Sequence, residues 1–279
     1  MKTWLITGAS RGFGARVAEH ALAIGDNVVA TARNPETVVE RLGAHPGLLA
    51  LALDVTVESQ AIAAANETVA RFGRIDVLLN NAGYGLLGAV EEANAEEIER
   101  LYRTNVFGLL AVSRAVLPHM RAQRSGRILN ISSIGGYRGA AGFGIYCSTK
   151  FAVEGLSEAM HAELAPLGIH VTVAAPGYFR TDFLDATSLA VSPSSIADYT
   201  ATAGRVRDVA ANLNHAQPGD PQRLAKVLVE FTDAPNPPVR LPLGSDAVAA
   251  LEARYSTDAA LLAEWRAVSI STDFTAHAP

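Results

Sequence analysis

Residues 3–14 read TWLITGASRGFG, and the fold follows from them. Thr3 to Thr7 is a short apolar run of strand character. A glycine-rich turn follows, from Gly8 through Ser10, Arg11, Gly12 and Phe13 to Gly14, and ARVAEHALAIG behind it has a helical period that stops at Gly25. A strand that passes into a helix through such a turn predicts a pyrophosphate cradle. Backbone N–H groups and the helix dipole face the anion, and the missing Cβ atoms let it come close.

Outward from this turn the same alternation repeats. NVVATAR (27–33) is a second strand, residues 35–42 a polar helix, and LLALALDVT a third strand ending at Asp54-Val55, with SQAIAAANETVARFG as the next helix. Ile75 to Leu79 is a fourth strand running into Asn80-Asn81-Ala82-Gly83, and residues from about 95 to 120 form one long periodic helix with Asn105 inside it. RILNI (127–131) and IHVTVAAPG (169–177) are the fifth and sixth strands, residues 220–231 a helix, VRLPLG a seventh strand, and residues 246–270 one or two terminal helices. Strands alternating with helices predict a Rossmann-type α/β fold, a doubly wound parallel sheet of about seven strands in a single domain over 1–279. Between about 178 and 218 the chain loses regular period yet keeps Phe179, Phe183, Leu184 and Leu189. That reads as a lid loop over a substrate.

Chemistry gathers after the fifth strand. RILNI delivers Ser132 and Ser133 to the carboxyl end of the sheet, where parallel sheets keep their ligands. Past a Gly-rich loop and Phe143, Tyr146 and Lys150 stand four residues apart at the start of a helix, so both project from one face. A phenol beside an ammonium is expected to have its pKa lowered from about 10 towards neutrality, which suits a general acid or base. At the end of the second strand Ala32 stands where an acid would hold the ribose hydroxyls of NAD. Arg33 follows, and with Arg11 it offers two guanidiniums to a 2′-phosphate, so NADP(H) is the expected cofactor.

The run NISS, a Gly-rich loop and Y-x-x-x-K, together with T-G-x-x-x-G-x-G at Thr7 to Gly14, resembles the short-chain dehydrogenase/reductase family in its compact branch. The likeness spans about residues 3–244, with the motifs in order. It implies hydride transfer between a nicotinamide and a ketone, aldehyde or alcohol, as in carbonyl reductases and hydroxysteroid dehydrogenases. On these terms Ser133 binds the substrate oxygen, Tyr146 trades the proton, Lys150 holds the cofactor ribose, and Asn105 bends its helix and orders water leading to Lys150. Asp54 and Val55 fall near the adenine. Asn81, Ala82 and Gly83 pass their backbone by the cofactor while Asn80 is structural, and Pro176, Gly177 and Thr181 hold the carboxamide. Phe143, Phe179 and Phe183, with Ser133 and Tyr146, would meet a hydrophobic carbonyl substrate. The alternative from another class is a non-catalytic NADP(H) sensor, whose mark would be an incomplete tetrad; all four members are present.

Composition narrows the partners. The chain has 279 residues, 49% hydrophobic and 18% charged, with a net charge of −5 and no Lys/Arg block, which argues against nucleic acid or an anionic membrane as partner. No apolar run approaches the roughly 18 residues of a membrane span. The single Cys147 excludes an internal disulfide and a Cys-based metal site, so no metal is expected and a reducing cytoplasm suits the chain. The helices around 95–120 and 149–167 are apolar on more than one side. In the resembled family they pack against a second subunit, so a homodimer or homotetramer is expected.

Overall fold

A computed structural model describes residues 1–213 and 216–274; residues 214–215 of the expected lid and 275–279 of the C-terminal extension lie outside the described residues. The chain opens with β1 (Thr3–Ile6), α1 (Gly12–Ala23), β2 (Asn27–Ala32), α2 (Glu36–Leu42), β3 (Leu48–Ala52), α3 (Glu58–Phe72) and β4 (Val77–Asn80). Then come β5 (Gly85–Leu87), α4 (Ala95–Tyr102), α5 (Leu109–Gln123), β6 (Gly126–Ile131), α6 (Gly144–Leu164) and β7 (Ile169–Pro176). The C-terminal third holds β8 (Leu189–Val191), α7 (Arg205–Leu213), α8 (Pro221–Phe231), β9 (Arg240–Leu243) and α9 (Ser245–Ile270).

Seven strands form one parallel sheet in the order β3-β2-β1-β4-β6-β7-β9, the doubly wound topology expected from the alternation. Apolar runs such as TWLI have no polar face because both sides of the sheet are covered. Trp4 and Ile6 point to the face packed by α1 and α8, with Val28, Val77 and Leu129. Leu5 points to the other, with Val29, Leu78, Ile128 and the helices α3, α5 and α6. Leu78 is fully buried, and its truncation to Ala would cost about 2–5 kcal/mol. The direction in which successive strands are added reverses between β1 and β4, so the loops after β1, β4, β6 and β7 open at one crevice, the place such sheets bind ligands.

Two expectations need correction. The long helix of residues 95–120 is interrupted by a π-turn at Arg103–Gly108 and then continues to Gln123; the extra residue per turn is placed around Asn105, whose buried amide bonds sideways, donating to the Tyr84 carbonyl (2.9 Å) and accepting from the Tyr84 N–H (3.1 Å). The lid is not a loop without period. It contains a short 3₁₀ turn (Asp182–Leu184), β8, a second π-turn (Thr200–Gly204) and α7. β8 pairs in parallel with β5, an element the sequence did not reveal, because each is three residues long and exists only through the other. The C-terminal extension, expected as one or two helices, forms the single helix α9 among the described residues.

Candidate functional site

The crevice is a cavity of about 750 Å³. Of the residues expected to serve cofactor or substrate, all line it except Gly14 and Asn105, which stand behind its wall. Gly14 has no room for a side chain: an added Cβ would lie 2.6 Å from the Gly8 carbonyl oxygen and 2.6 Å from Asn81 Nδ2. Gly12 has φ +56 and nothing within 4 Å of its missing Cβ, so the turn exposes bare backbone to the cavity. No side chain caps the start of α1 and its first turn carries no acid, leaving its N–H groups and positive dipole end to the crevice. Among the described residues this is where a dinucleotide pyrophosphate fits.

Asn81 builds that cradle instead of reaching into it. Its Nδ2 donates to the carbonyls of Thr7 (3.0 Å) and Gly8 (2.9 Å), while the N–H groups of Asn81 and Ala82 donate to Thr7 Oγ1. Asn80, expected to be structural, donates to Ser113 Oγ (3.0 Å) and Asn130 Oδ1 (2.9 Å). Asp54 lines the cavity, but its carboxylate closes a turn, accepting from the N–H and hydroxyl of Thr56. Thr181 accepts from the Phe183 N–H and starts the 3₁₀ turn.

The two arginines behave differently. Arg33 is exposed, lines the cavity and forms no ion pair or hydrogen bond among the described residues. Arg11 donates to the Thr187 carbonyl (2.6 Å), so it joins the glycine turn to the lid across the crevice. That contact, across 176 positions of chain, carried no signal in the sequence.

Ser133, Tyr146 and Lys150 come together as expected. Gly135 lies between Ser133 and Tyr146, its missing Cβ within 3.6 Å of Ser133 Oγ and of the Tyr146 ring. Lys150 Nζ donates to the Ile131 carbonyl (2.8 Å) and lies 5.7 Å from the centre of the Tyr146 ring. Asn105 Nδ2 also donates to Thr149 Oγ1 (3.2 Å), fixing α6 one residue before Lys150. The electrostatics depart from the expectation. Burial pushes the Tyr146 phenol well above its ordinary value, and the hydrogen bond with Ser133 works the other way without cancelling it. Burial also pushes Lys150 down to about 8, against the opposing pull of Glu154. Desolvation is the largest cause at both groups, which lie buried in the wall of the site.

Phe183 packs on Tyr146 with ring centres 5.6 Å apart and Phe143 sits 6.1 Å away edge-on, so this end of the cavity is aromatic. Phe179, expected on substrate, lines the cavity, and its ring meets Phe13 edge-on at 5.5 Å and packs on the α1/α8 core. Sequence reasoning missed Leu86, Arg138 and Gln217, all of which line the cavity. Leu86 could not be found without the β5–β8 pairing. Gln217, whose buried Oε1 has no partner among the described residues, sits at the end of the lid, where no motif marks it.

The family model described as short chain dehydrogenase matches residues 2–191. A short-chain dehydrogenase from Streptomyces avermitilis of known structure is 41% identical, with a TM-score of 0.90 over 98% of this chain and 100% of that one. The chain is similar to oxidoreductase BOA17 of Botryotinia fuckeliana, 38% identical over 97% of this chain and 99% of the relative. It is also 38% identical to a 3-ketodihydrosphingosine reductase of Bacteroides thetaiotaomicron, over 86% and 87% of the two chains.

Proposed function

The chain belongs to the short-chain dehydrogenase/reductase family of oxidoreductases, and from that premise we propose that it is an NADP(H)-dependent carbonyl reductase acting on a hydrophobic ketone or aldehyde, or on the corresponding alcohol. The observation that carries the reading is the convergence of Ser133 and Tyr146 under an aromatic and aliphatic lid, in the same cavity as the uncapped start of α1. A similar chain that is a reductase of a long-chain ketone points to the same substrate class.

A bound nicotinamide supplies the hydride or takes it up. Ser133 holds the carbonyl oxygen with its hydroxyl. Tyr146 gives that oxygen its proton; a phenol held protonated by burial starts in the form that reduction needs, and an alkoxide developing beside it provides the drive for transfer. Lys150 spends one of three N–H donors on Ile131, which leaves two for the ribose and for drawing the phenol's charge as it forms. Asn105 positions this group through Thr149 and the Tyr84 backbone. Phe183, Phe143 and Leu86 exclude water from the reacting carbonyl. The sheet, the lid and α9 work as one unit, and the helices bearing exposed Phe107 and Phe151 meet a second copy.

Cofactor choice rests on Ala32 and the unpaired Arg33. A charge-assisted pair is worth about 1.5–3 kcal/mol, so Arg33→Ala weakens NADPH roughly ten- to a hundredfold and leaves NADH nearly unchanged. Adding Ala32→Asp places a carboxylate against the 2′-phosphate and inverts the preference. Fluorescence titration of both nucleotides measures binding, and NADPH consumption over a panel of aryl, steroid and medium-chain carbonyls measures the reaction. Equal loss of both nucleotides in the Arg33 variant, or no turnover of any carbonyl, would sink the proposal.

A further inference from the structure

Behind the reacting groups lies a second cluster of buried charge. Tyr146, Lys150 and Glu154 follow one another at single-turn spacing on α6, and all three are buried. Glu154 therefore stands on the far side of Lys150 from the phenol, and it does not line the cavity. Its Oε2 accepts from Arg240 Nε at the start of β9 (3.2 Å), and Arg240 Nη2 donates to Glu158 Oε2 (2.9 Å). One guanidinium is thus shared by two carboxylates. The other oxygen of Glu154 is uncommitted. Oε1 has no partner within hydrogen-bond geometry among the described residues, and it faces Ser132 across Gly136, where an added Cβ would lie 3.1 Å from Oε1 and 2.6 Å from Ser132 Oγ.

Charge counting decides what that oxygen serves. Glu154 and Glu158 carry two negative charges against the single positive charge of Arg240, and Lys150 supplies the missing one. The other groups around the pair are neutral. Towards the cavity these are Tyr146, Cys147 and Tyr178, each held protonated by burial, and the Asn105 amide of the π-turn. Towards Arg240 they are Ser132 at the end of β6 and Tyr137, whose phenol is also kept protonated by burial and lies within the influence of Tyr255 on α9. Arg138 and Asp246 act on Tyr178 but are not among the groups acting on Lys150. Glu154 is the charge that pulls Lys150 upward against its burial. Burial raises the Glu154 carboxyl in turn, while the facing Ser132 hydroxyl, Arg240 and Lys150 pull it down. A buried ammonium with one carbonyl acceptor needs such a counter-charge, because desolvation favours its neutral form.

We propose that Glu154 is a positioning residue for the reaction: from the turn of α6 behind Lys150, its carboxylate keeps that lysine in the ammonium form that holds the ribose and draws the phenol's charge, and so sets the alkaline limit of turnover. The consequence for turnover rests on the reductase reading; the charge of Lys150 rests on the cluster alone. An ion pair that only tied α6 to β9 would respond alike to the loss of either partner. A counter-charge responds with opposite signs.

The chain has three lysines, Lys2, Lys150 and Lys226, so NMR of protein labelled with carbon-13 lysine resolves the Lys150 side chain, assigned by its absence in Lys150→Met. Titrated against pH, Glu154→Gln keeps the side chain's size and is expected to lower the Lys150 midpoint by about one unit or more, whereas Arg240→Gln removes the competing cation and should raise it. Glu154→Asp keeps the charge and should return the midpoint most of the way. If Glu154→Gln does not fold, the Asp and Arg240 variants still decide, because a raised midpoint in Arg240→Gln requires the carboxylate to act on Lys150. The alkaline limb of kcat/KM for NADPH-driven reduction should move with the midpoint, the loss in Glu154→Gln growing from pH 6 to pH 9 until it reaches about tenfold. A midpoint unmoved in Glu154→Gln, the same sign of shift in both variants, or a midpoint that moves without the limb overturns the proposal. Should no carbonyl be turned over, the reductase reading fails by itself, and the pH dependence of NADPH binding takes the place of the rate as the second measurement.

Discussion

The carboxyl edge of the sheet and the lid above it line the same cavity, yet they are held together differently. At the edge, Thr7, Gly8 and Asn81 lie at the tips of neighbouring strands and bond one another within a few ångströms of the backbone that carries them. The lid is fastened to Glu92, a buried carboxylate in the segment before α4 that accepts from the N–H groups of Ala89 and Ile196 and pairs with Arg207 of α7. Ser192 donates to the Glu92 carbonyl and to Glu97. The backbone N–H groups of Ile196 and Ala89, then Arg207, hold the Glu92 carboxyl below the usual range. Strand geometry thus builds the edge, whereas a few polar side chains fasten the lid, so the two can be separated by mutation.

The largest separation is expected at Tyr146. Tyr146→Phe keeps the ring between Phe143 and Phe183 and removes only the transferable proton. General acid catalysis contributes about 10²- to 10⁴-fold, so turnover should fall by that factor while NADPH binding and lid protection stay as they were. A loss below tenfold removes Tyr146 from the mechanism, and a lid that loosens as well would show that edge and lid are not independent.

Lys150 tests whether the edge stores strain. Its ammonium is buried with one acceptor, and burial brings its pKa down to about 8 from the ordinary 10.5. Below pH 8 the folded protein therefore carries a penalty for the charge. As pH rises from 8 to 10.5 the unfolded chain holds more protons than the folded one, and the penalty is relieved. Lys150→Met should be inactive yet more stable by about 2 kcal/mol at pH 7, with the gain disappearing by pH 10.5. Denaturant titration at several pH values measures this. A gain that does not change with pH would mean that the methionine packs better and that the charge had cost nothing.

How much was legible follows from the same division. The seven strands, the glycine turn, Ser133, Tyr146 and Lys150 could be read because each lies within a few residues of the feature that places it. Arg11 could not, since the Thr187 carbonyl that takes its hydrogen bond is 176 positions away. Glu92 carried no mark in the sequence, since its partner Arg207 is 115 positions on. The packing of Phe179 on Phe13 was hidden, because composition shows that an aromatic is in the segment but not which neighbour its ring meets. The Tyr146 pKa was misread for a related reason: spacing gives the distance between charges, whereas burial, which outweighs it here, depends on the whole fold.

The smallest effect on chemistry is expected at the fastening itself. Arg207→Ala leaves Glu92 its two backbone N–H donors, so the carboxylate keeps part of its support and the sheet is untouched. What is lost is the pair that ties α7 to the segment before α4. The β5–β8 ladder, three residues on each side, should then open more often. Leu86, Leu189 and Phe183 would leave the carbonyl pocket in the open form, so KM for a hydrophobic ketone should rise about tenfold, as expected when one charge-assisted contact is removed. Turnover at saturation should change less than about threefold, because bound substrate draws the lid shut, and NADPH affinity should hold because the glycine turn and Arg33 lie on the other region. Limited proteolysis would show faster cleavage between residues 186 and 205. If NADPH affinity fell in step with KM, the link from Arg11 to Thr187 would be transmitting lid opening to the cofactor turn, and edge and lid would act as one body.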